Sequence, residues 1–141
     1  MGRTGTAAMG QPLMRWLLDT NVWIDSHAGR ADACRVLVKA RATANLWIGY
    51  SAMTTLEVLG YAGLTAADEL TIRNMLDEFE EIAIESDVIA EAIRIRKNHR
   101  LKSPDAIVAA TALLQNAELV TRNTTDFKRV PGLTVLDTAN F

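Results

Sequence analysis

The sequence predicts an α/β domain, a central parallel sheet with helices on both faces, and three observations carry that expectation. A chain of 141 residues with 49% hydrophobic content suits one buried core. From Arg15 onward, short apolar runs of strand character alternate with longer stretches of helical periodicity. The first such run stops abruptly at Asp19, Thr20 and Asn21, polar residues at a strand's carboxyl end, where α/β sheets usually bind ligands.

The elements follow in order. The segment 1–14, MGRTGTAAMGQPLM, lacks the long apolar centre of a secretory signal and reads as a disordered leader or an expression remnant, with Met14 an alternative start. The domain is expected over 15–141. Trp16 to Leu18 lacks polar alternation, as in a strand buried on both sides. Residues 31 to 43 place Ala33, Val36, Leu37 and Ala40 three and four apart, the spacing of one helical face. Leu46 to Tyr50 reads as the second strand. Ser51 can cap a helix to about Tyr61 with Met53, Leu56 and Leu59 toward the core, and Thr65 can cap another running to about Glu80. Glu81 to Glu85 alternates as a third strand, and Ser86 or Asp87 opens a helix to about Asn98. Ser103-Pro104 is a strong start signal, a capping serine followed by a proline that needs no amide donor, for a helix to about Asn116. Glu118 to Thr121 and Leu133 to Leu136 supply the last strands, with Pro131 and Gly132 in the loop between them.

Composition narrows the functions. Fifteen basic against seventeen acidic residues give a formal charge of -2, so any nucleic-acid contact needs a local patch. The single cysteine, Cys34, excludes an internal disulfide, a four-cysteine zinc site and a CxxC redox pair, and a reducing cytoplasmic setting is expected. The longest apolar run, Ala106 to Ala110, is five residues, so no membrane-spanning helix is expected. His27 and His99 lie apart without metal-ligand spacing, which argues against zinc.

Four acids border apolar segments where charge is normally avoided. Asp19 ends the first strand, Glu57 flanks the buried stripe of its helix, Asp105 sits in the first turn of the Ser103-Pro104 helix, and Asp126 lies in the polar segment Thr121-Arg122-Asn123-Thr124-Thr125-Asp126. Each also has a purely structural use as a cap, a snorkelling edge residue or a turn former. Ala109 and Ala112, on the face of Asp105, give a small-residue surface that lets its helix approach the sheet closely. Together these elements would gather carboxylates on one sheet edge, where they cannot all ionise cheaply without a cation. Mg2+, with Mn2+ as a substitute, is the natural counterion for such oxygen donors.

The segments LLDTNVWID at 17–25, TTLEVLGYA at 54–62, KSPDAIVAATALL at 102–114 and LVTRNTTDF at 119–127 resemble, in order and spacing, the PIN-domain ribonucleases, nearest to the VapC toxins. That resemblance implies a PIN-like three-layer fold with strand order 3-2-1-4-5 and Mg2+-dependent endoribonuclease activity. It implies Asp19, Glu57 and Asp105 as catalytic metal ligands, with Asp126 taken as the fourth. Many members carry an aspartate where Asn123 stands, so the fourth position is divided between Asn123 and Asp126. Thr20, Thr121 and Asn123 are expected to orient waters or phosphate oxygens. The resemblance further implies a VapB-like antitoxin partner, a homodimer and an RNA substrate such as tRNA. Cation-activated water would attack phosphorus, leaving 5'-phosphate and 3'-hydroxyl ends.

Arg94, Arg96, Lys97, His99, Arg100 and Lys102 lead directly to Asp105, a run able to hold flanking phosphates, though it equally suits a solvated helix face. A receiver domain would need an acidic pair after the first strand, and a haloacid-dehalogenase-like phosphatase a DxD, where this chain has DTN. The alternative from another class is a degenerate, noncatalytic PIN-like module that binds RNA or protein.

Overall fold

The computed structural model describes residues 14–141, so apart from Met14 the expected leader lies outside the described residues. Five parallel strands form one sheet in the order β3-β2-β1-β4-β5. They are β1 (Met14–Leu18), β2 (Leu46–Ser51), β3 (Glu80–Ile82), β4 (Glu118–Thr121) and β5 (Val135–Asp137). Seven helices connect them: α1 (Thr20–His27), α2 (Ala31–Ala42), α3 (Ala52–Leu59), α4 (Ala66–Leu76), α5 (Ser86–His99), α6 (Ser103–Leu114) and α7 (Thr124–Phe127). A 3-10 turn, Thr138–Asn140, follows β5.

Strand β1 is central, with Leu17 opposite Gly49 of β2 and Leu119 of β4. Its side chains alternate between two cores, as the two-residue period of a strand dictates. Leu17 and Leu119 point to the α5–α6 side, where Ala106, Val108, Ala109 and Ala112 are buried. The run of alanines lets α6 lie close to the sheet. Trp16, Leu18 and Val120 point to the other side and meet Val22 and Trp23 of α1, Val36 and Leu37 of α2, Val58 of α3 and Leu76 of α4. Trp23 is fully buried, edge-on to Tyr50 at 5.4 Å and tilted against Phe79 at 5.8 Å.

Several boundaries and faces differ from the sequence expectation. Helix α1, not anticipated, begins immediately after Asp19, which serves as its N-cap and accepts from the Thr20 amide. The four-residue α7 occupies a segment expected to be a turn. Helix α3 turns Thr54 and Val58 inward, leaving Leu56 65% exposed, because the Thr54 hydroxyl finds a partner in Thr20 and so tolerates burial. Helix α4 ends at Leu76 with Ile72 and Leu76 buried, and β3 falls at Glu80–Ile82 rather than at 81–85. The last strand is likewise displaced, to Val135–Asp137. Ser51 caps α3 and Thr65 caps α4, as the sequence indicates, and Asp68 completes a capping box with Thr65. Ser103 does not cap α6: Lys102 takes the N-cap position without a side-chain bond, and Ser103 and Pro104 enter the helix. Glu85, rather than Ser86 or Asp87, precedes α5 as its N-cap.

Candidate active site

The parallel order with β1 in the middle brings the carboxyl ends of β1 and β4 together, and α6, returning antiparallel to the strands, starts at that same edge. Asp19, the first residue after β1, is 5% exposed. Its Oδ1 accepts from the Thr20 amide at 2.8 Å, and its Oδ2 accepts from Thr121 Oγ1 at 2.8 Å and Asn21 Nδ2 at 3.1 Å. Burial pushes the Asp19 carboxyl up to about 6, against the lowering effect of the Thr121 and Thr20 bonds, and the charges of Asp105 and Glu57 push it further.

Glu57, on α3, is solvent-exposed, yet its Oε1 accepts from Thr20 Oγ1 at 2.7 Å, and that hydroxyl lies 3.0 Å from Thr54 Oγ1. With Thr54 fully buried, the pair of threonines holds the carboxylate from behind. Asp105, half-buried in the first turn of α6, is raised by desolvation and then by the charges of Asp126 and Glu57, while Lys102 opposes the rise. Asp126 accepts from Asn123 Nδ2 at 3.1 Å and from Arg129 at 2.8 Å. The Asn123 amide donates to Thr121 Oγ1 at 2.9 Å, so Asn123 links the end of β4 to Asp126. Four acids on four elements thus bear electrostatically on one another: Asp19 on Asp105 and Glu57, Asp105 on Glu57 and Asp126.

Oxygen donors under mutual repulsion fit a hard divalent cation. Among the described residues no three His, Cys, Asp or Glu side chains are already drawn together tightly enough to hold an ion.

Two residues of this network carried no signal in the expected site. Asn21 donates to both Asp19 and Thr121, at 3.1 and 3.2 Å, and its Oδ1 accepts from the Arg122 amide at 3.2 Å, tying the start of α1 to the end of β4. Its place two residues after Asp19 is the signal that could have found it. Thr54 lies three residues before Glu57, the spacing that puts two side chains on one helical face. Beside Asn21, Arg122 Nε donates to the buried Asp25 at 2.8 Å.

The basic run is unevenly engaged. Arg94 pairs with Glu91, and Arg96 Nε donates to the Leu101 carbonyl at 3.2 Å. Arg100 ends α5 in the left-handed conformation at φ 58°, and Lys97, Arg100 and Lys102 are solvent-exposed. Lys102, at the N-cap of α6, is the member whose charge reaches Asp105.

A pH dependence follows from Asp19. Its folded pKa of about 6 lies above the ordinary 3.8, so its contribution to the stability of the metal-free protein is full below about pH 4 and is lost as pH rises through about 6. At 1.36 kcal/mol per unit the increment is about 3 kcal/mol. Urea unfolding in EDTA at pH 4.5 to 7.5 should show it as a difference in slope between wild type and Asp19→Asn. Parallel curves for the two proteins would sink the assignment.

The PIN domain family matches residues 16–133. Among solved structures, a toxin-antitoxin complex from Klebsiella pneumoniae contains a chain 37% identical to this one, with a TM-score of 0.73, covering 86% of this chain and 96% of its own. VapBC2 from Rickettsia felis, bound to a DNA fragment from its promoter, matches at 21% identity and a TM-score of 0.75, over 88% of this chain and 98% of that one. VapBC-1 from nontypeable Haemophilus influenzae matches at 20% identity and 0.74, over 89% and 99%. The last two likenesses are of fold. Among curated proteins none matches the chain by sequence.

Proposed function

The chain belongs to the PIN-domain family, and on that premise we propose that it is the VapC-like toxin of a toxin-antitoxin pair, acting as a Mg2+-dependent endoribonuclease. The observation that carries this reading is the set of mutually repelling carboxylates, Asp19, Glu57, Asp105 and Asp126, delivered by four elements to one edge of the sheet. The domain is assigned to 15–141, and the 37% identical chain from a toxin-antitoxin complex supports an antitoxin partner of VapB type. A homodimer and a cytoplasmic location belong to the same proposal. No helix among the described residues is long and apolar enough to cross a membrane.

In this mechanism Asp19, Glu57 and Asp105 would hold the cation through oxygen, with Asp126, whose charge bears on Asp105, as the fourth acid. Bound there, Mg2+ would supply Lewis acidity toward the phosphate and lower the pKa of the attacking water. Thr121, Asn21 and the Thr20 amide fix the Asp19 carboxylate, so its charge is aimed without reorganisation. Thr20, backed by Thr54, does the same for Glu57. Asn123 sets Asp126 through its side-chain amide, and its backbone amide bonds Thr121 at the end of β4, which supports a role for the pair in orienting water or a phosphate oxygen. Lys102, Arg100 and Lys97 hold the flanking backbone, with Arg94 and Arg96 contributing less because protein acceptors already engage them. The chain carries a formal charge of -2, so one bound divalent cation would bring it to neutrality and remove the net repulsion of RNA.

The test is cleavage of a panel of tRNA and hairpin RNAs by the purified protein with Mg2+, with Mn2+ and with EDTA, followed by analysis of the new ends. Metal-dependent products with 5'-phosphate and 3'-hydroxyl ends are expected; 2',3'-cyclic phosphates would contradict water attack. Reversing charge at Lys102 and Arg100 should weaken cleavage at low salt and reduce the slope of log KM against log salt by about 0.7 per lost phosphate contact. Arg96→Glu should have the smaller effect. An unchanged salt slope in the double variant would remove the patch from the RNA path.

The second reading, a noncatalytic binding module, draws on Asn123 standing where many members of the family carry an acid. It predicts a folded protein whose melting temperature does not respond to Mg2+.

A further inference from the structure

A second concavity opens on the far side of α3 from Glu57. Thr55 and Leu59 flank Glu57 by two residues, about 200° away around the helix, and line a cavity of about 330 Å³ closed by α4 and β3. Its apolar walls are Leu59, Leu76 and Phe79, and its polar groups are Tyr50, Asp77, Glu81 and Arg73, the last with its charge paired to Glu69. Tyr50 is 4% exposed, and among the described residues its hydroxyl, which lines this cavity, has no hydrogen-bond partner.

The charges around the cavity are unbalanced. In the turn from α4 into β3, Glu78 pairs with Arg41 and Glu80 accepts from the Trp47 indole at 3.0 Å. Arg73 donates to Glu69 at 2.9 Å. Asp77 and Glu81, which face the cavity, form no ion pair among the described residues, and Glu81 accepts only from the Thr55 hydroxyl. The Tyr50 hydroxyl is pushed up to about 12 by burial and by the charges of Glu81 and Asp77, so it stays neutral at physiological pH.

We propose that this cavity binds the guanidinium of an arginine side chain presented by a protein partner, with Glu81 and Asp77 accepting its N–H groups and the Tyr50 oxygen accepting another. A planar fork of five donors matches several acceptors spread around a rim better than a compact ammonium does. Leu59 and Leu76 receive the methylene stem. The acidic rim disfavours RNA phosphate and any ligand carrying its own carboxylate, which is why a side chain within a polypeptide is the occupant.

The test is independent of the nuclease reading. The full-length protein, labelled with nitrogen-15, is titrated by NMR with N-acetyl-arginine methylamide, its lysine and norleucine counterparts, free arginine and guanosine. Saturable shifts at Tyr50, Asp77 and Glu81 are expected with the blocked arginine, with a Kd on the order of 1 mM. Lysine and free arginine should bind several-fold more weakly and norleucine not at all. Glu81→Gln and Asp77→Asn, both at exposed positions that leave folding intact, should each weaken binding about tenfold, as loss of a charge-assisted bond does. Tyr50→Phe should weaken it less, and RNA cleavage by all three should be unchanged. Absence of saturation, an equal response to norleucine, equal binding of free arginine, or preferential binding of guanosine would each overturn the proposal.

Discussion

Asp105→Asn should lower Mg2+-dependent RNA cleavage by at least a factor of about 100, because even groups that only support a metal ligand cost 10- to 100-fold when changed. The substitution keeps the shape of the first turn of α6 and removes one negative charge from the set that bears on Glu57 and Asp126. It also removes the repulsion and desolvation that raise the Asp105 pKa, so the metal-free variant should be no less stable than wild type. A metal-linked measurement separates the site from contaminating ribonuclease. Mg2+ at about 100 times its Kd stabilises a folded protein by about 2.7 kcal/mol, and that increment should appear in the wild-type melting curve and shrink in the variant. Cleavage and Mg2+ stabilisation that both survive Asp105→Asn would place the metal elsewhere.

Trp23→Ala should cost about 3 to 5 kcal/mol, a large share of the 5 to 15 kcal/mol that stabilises a typical domain. The indole is fully enclosed between Leu18, Tyr50 and Phe79, and its Nε1 donates to the Leu18 carbonyl at 3.4 Å. The urea midpoint should fall accordingly, with Trp23→Phe losing much less. Because Trp23 sits three residues beyond Thr20 on α1, the variant that remains folded in the cold should also bind Mg2+ more weakly. A loss below about 1 kcal/mol would mean that α1 is not anchored through this ring.

The strands around Asp19 and the helix carrying Asp105 were legible because burial on both faces leaves unbroken apolar runs, and because a proline and small residues mark the start and face of α6. Strand order came through the family resemblance, since periodicity says nothing of which strands pair. Helix α1 was hidden because Val22, Trp23 and Ile24 form a continuous apolar triplet, which eight residues of sequence do not distinguish from a strand. The inward face of α3 was misread for a chemical reason. A threonine counts as polar in a pattern, yet Thr54 is buried on account of its bond to Thr20, thirty-four residues earlier in the chain. Asn21 was overlooked for the same reason, its partners Thr121 and Arg122 being far away in sequence. The acids themselves stood out; what aims them did not.

The strap from Asn21 to Thr121, reinforced by Arg122 on Asp25, joins segments about a hundred residues apart. Such closures are slow, since the entropy of a long loop must be overcome before any contact rewards it. Synthesis from the amino terminus therefore releases β1, α1 and α3 well before β4 exists to complete the setting of Asp19. On the ribosome, surrounded by the RNA the proposed enzyme would cut, a nascent chain lacking β4 would therefore be without a completed site. The proposed activity would then arise only at the late stage at which the folded domain first offers a complete surface to the proposed partner.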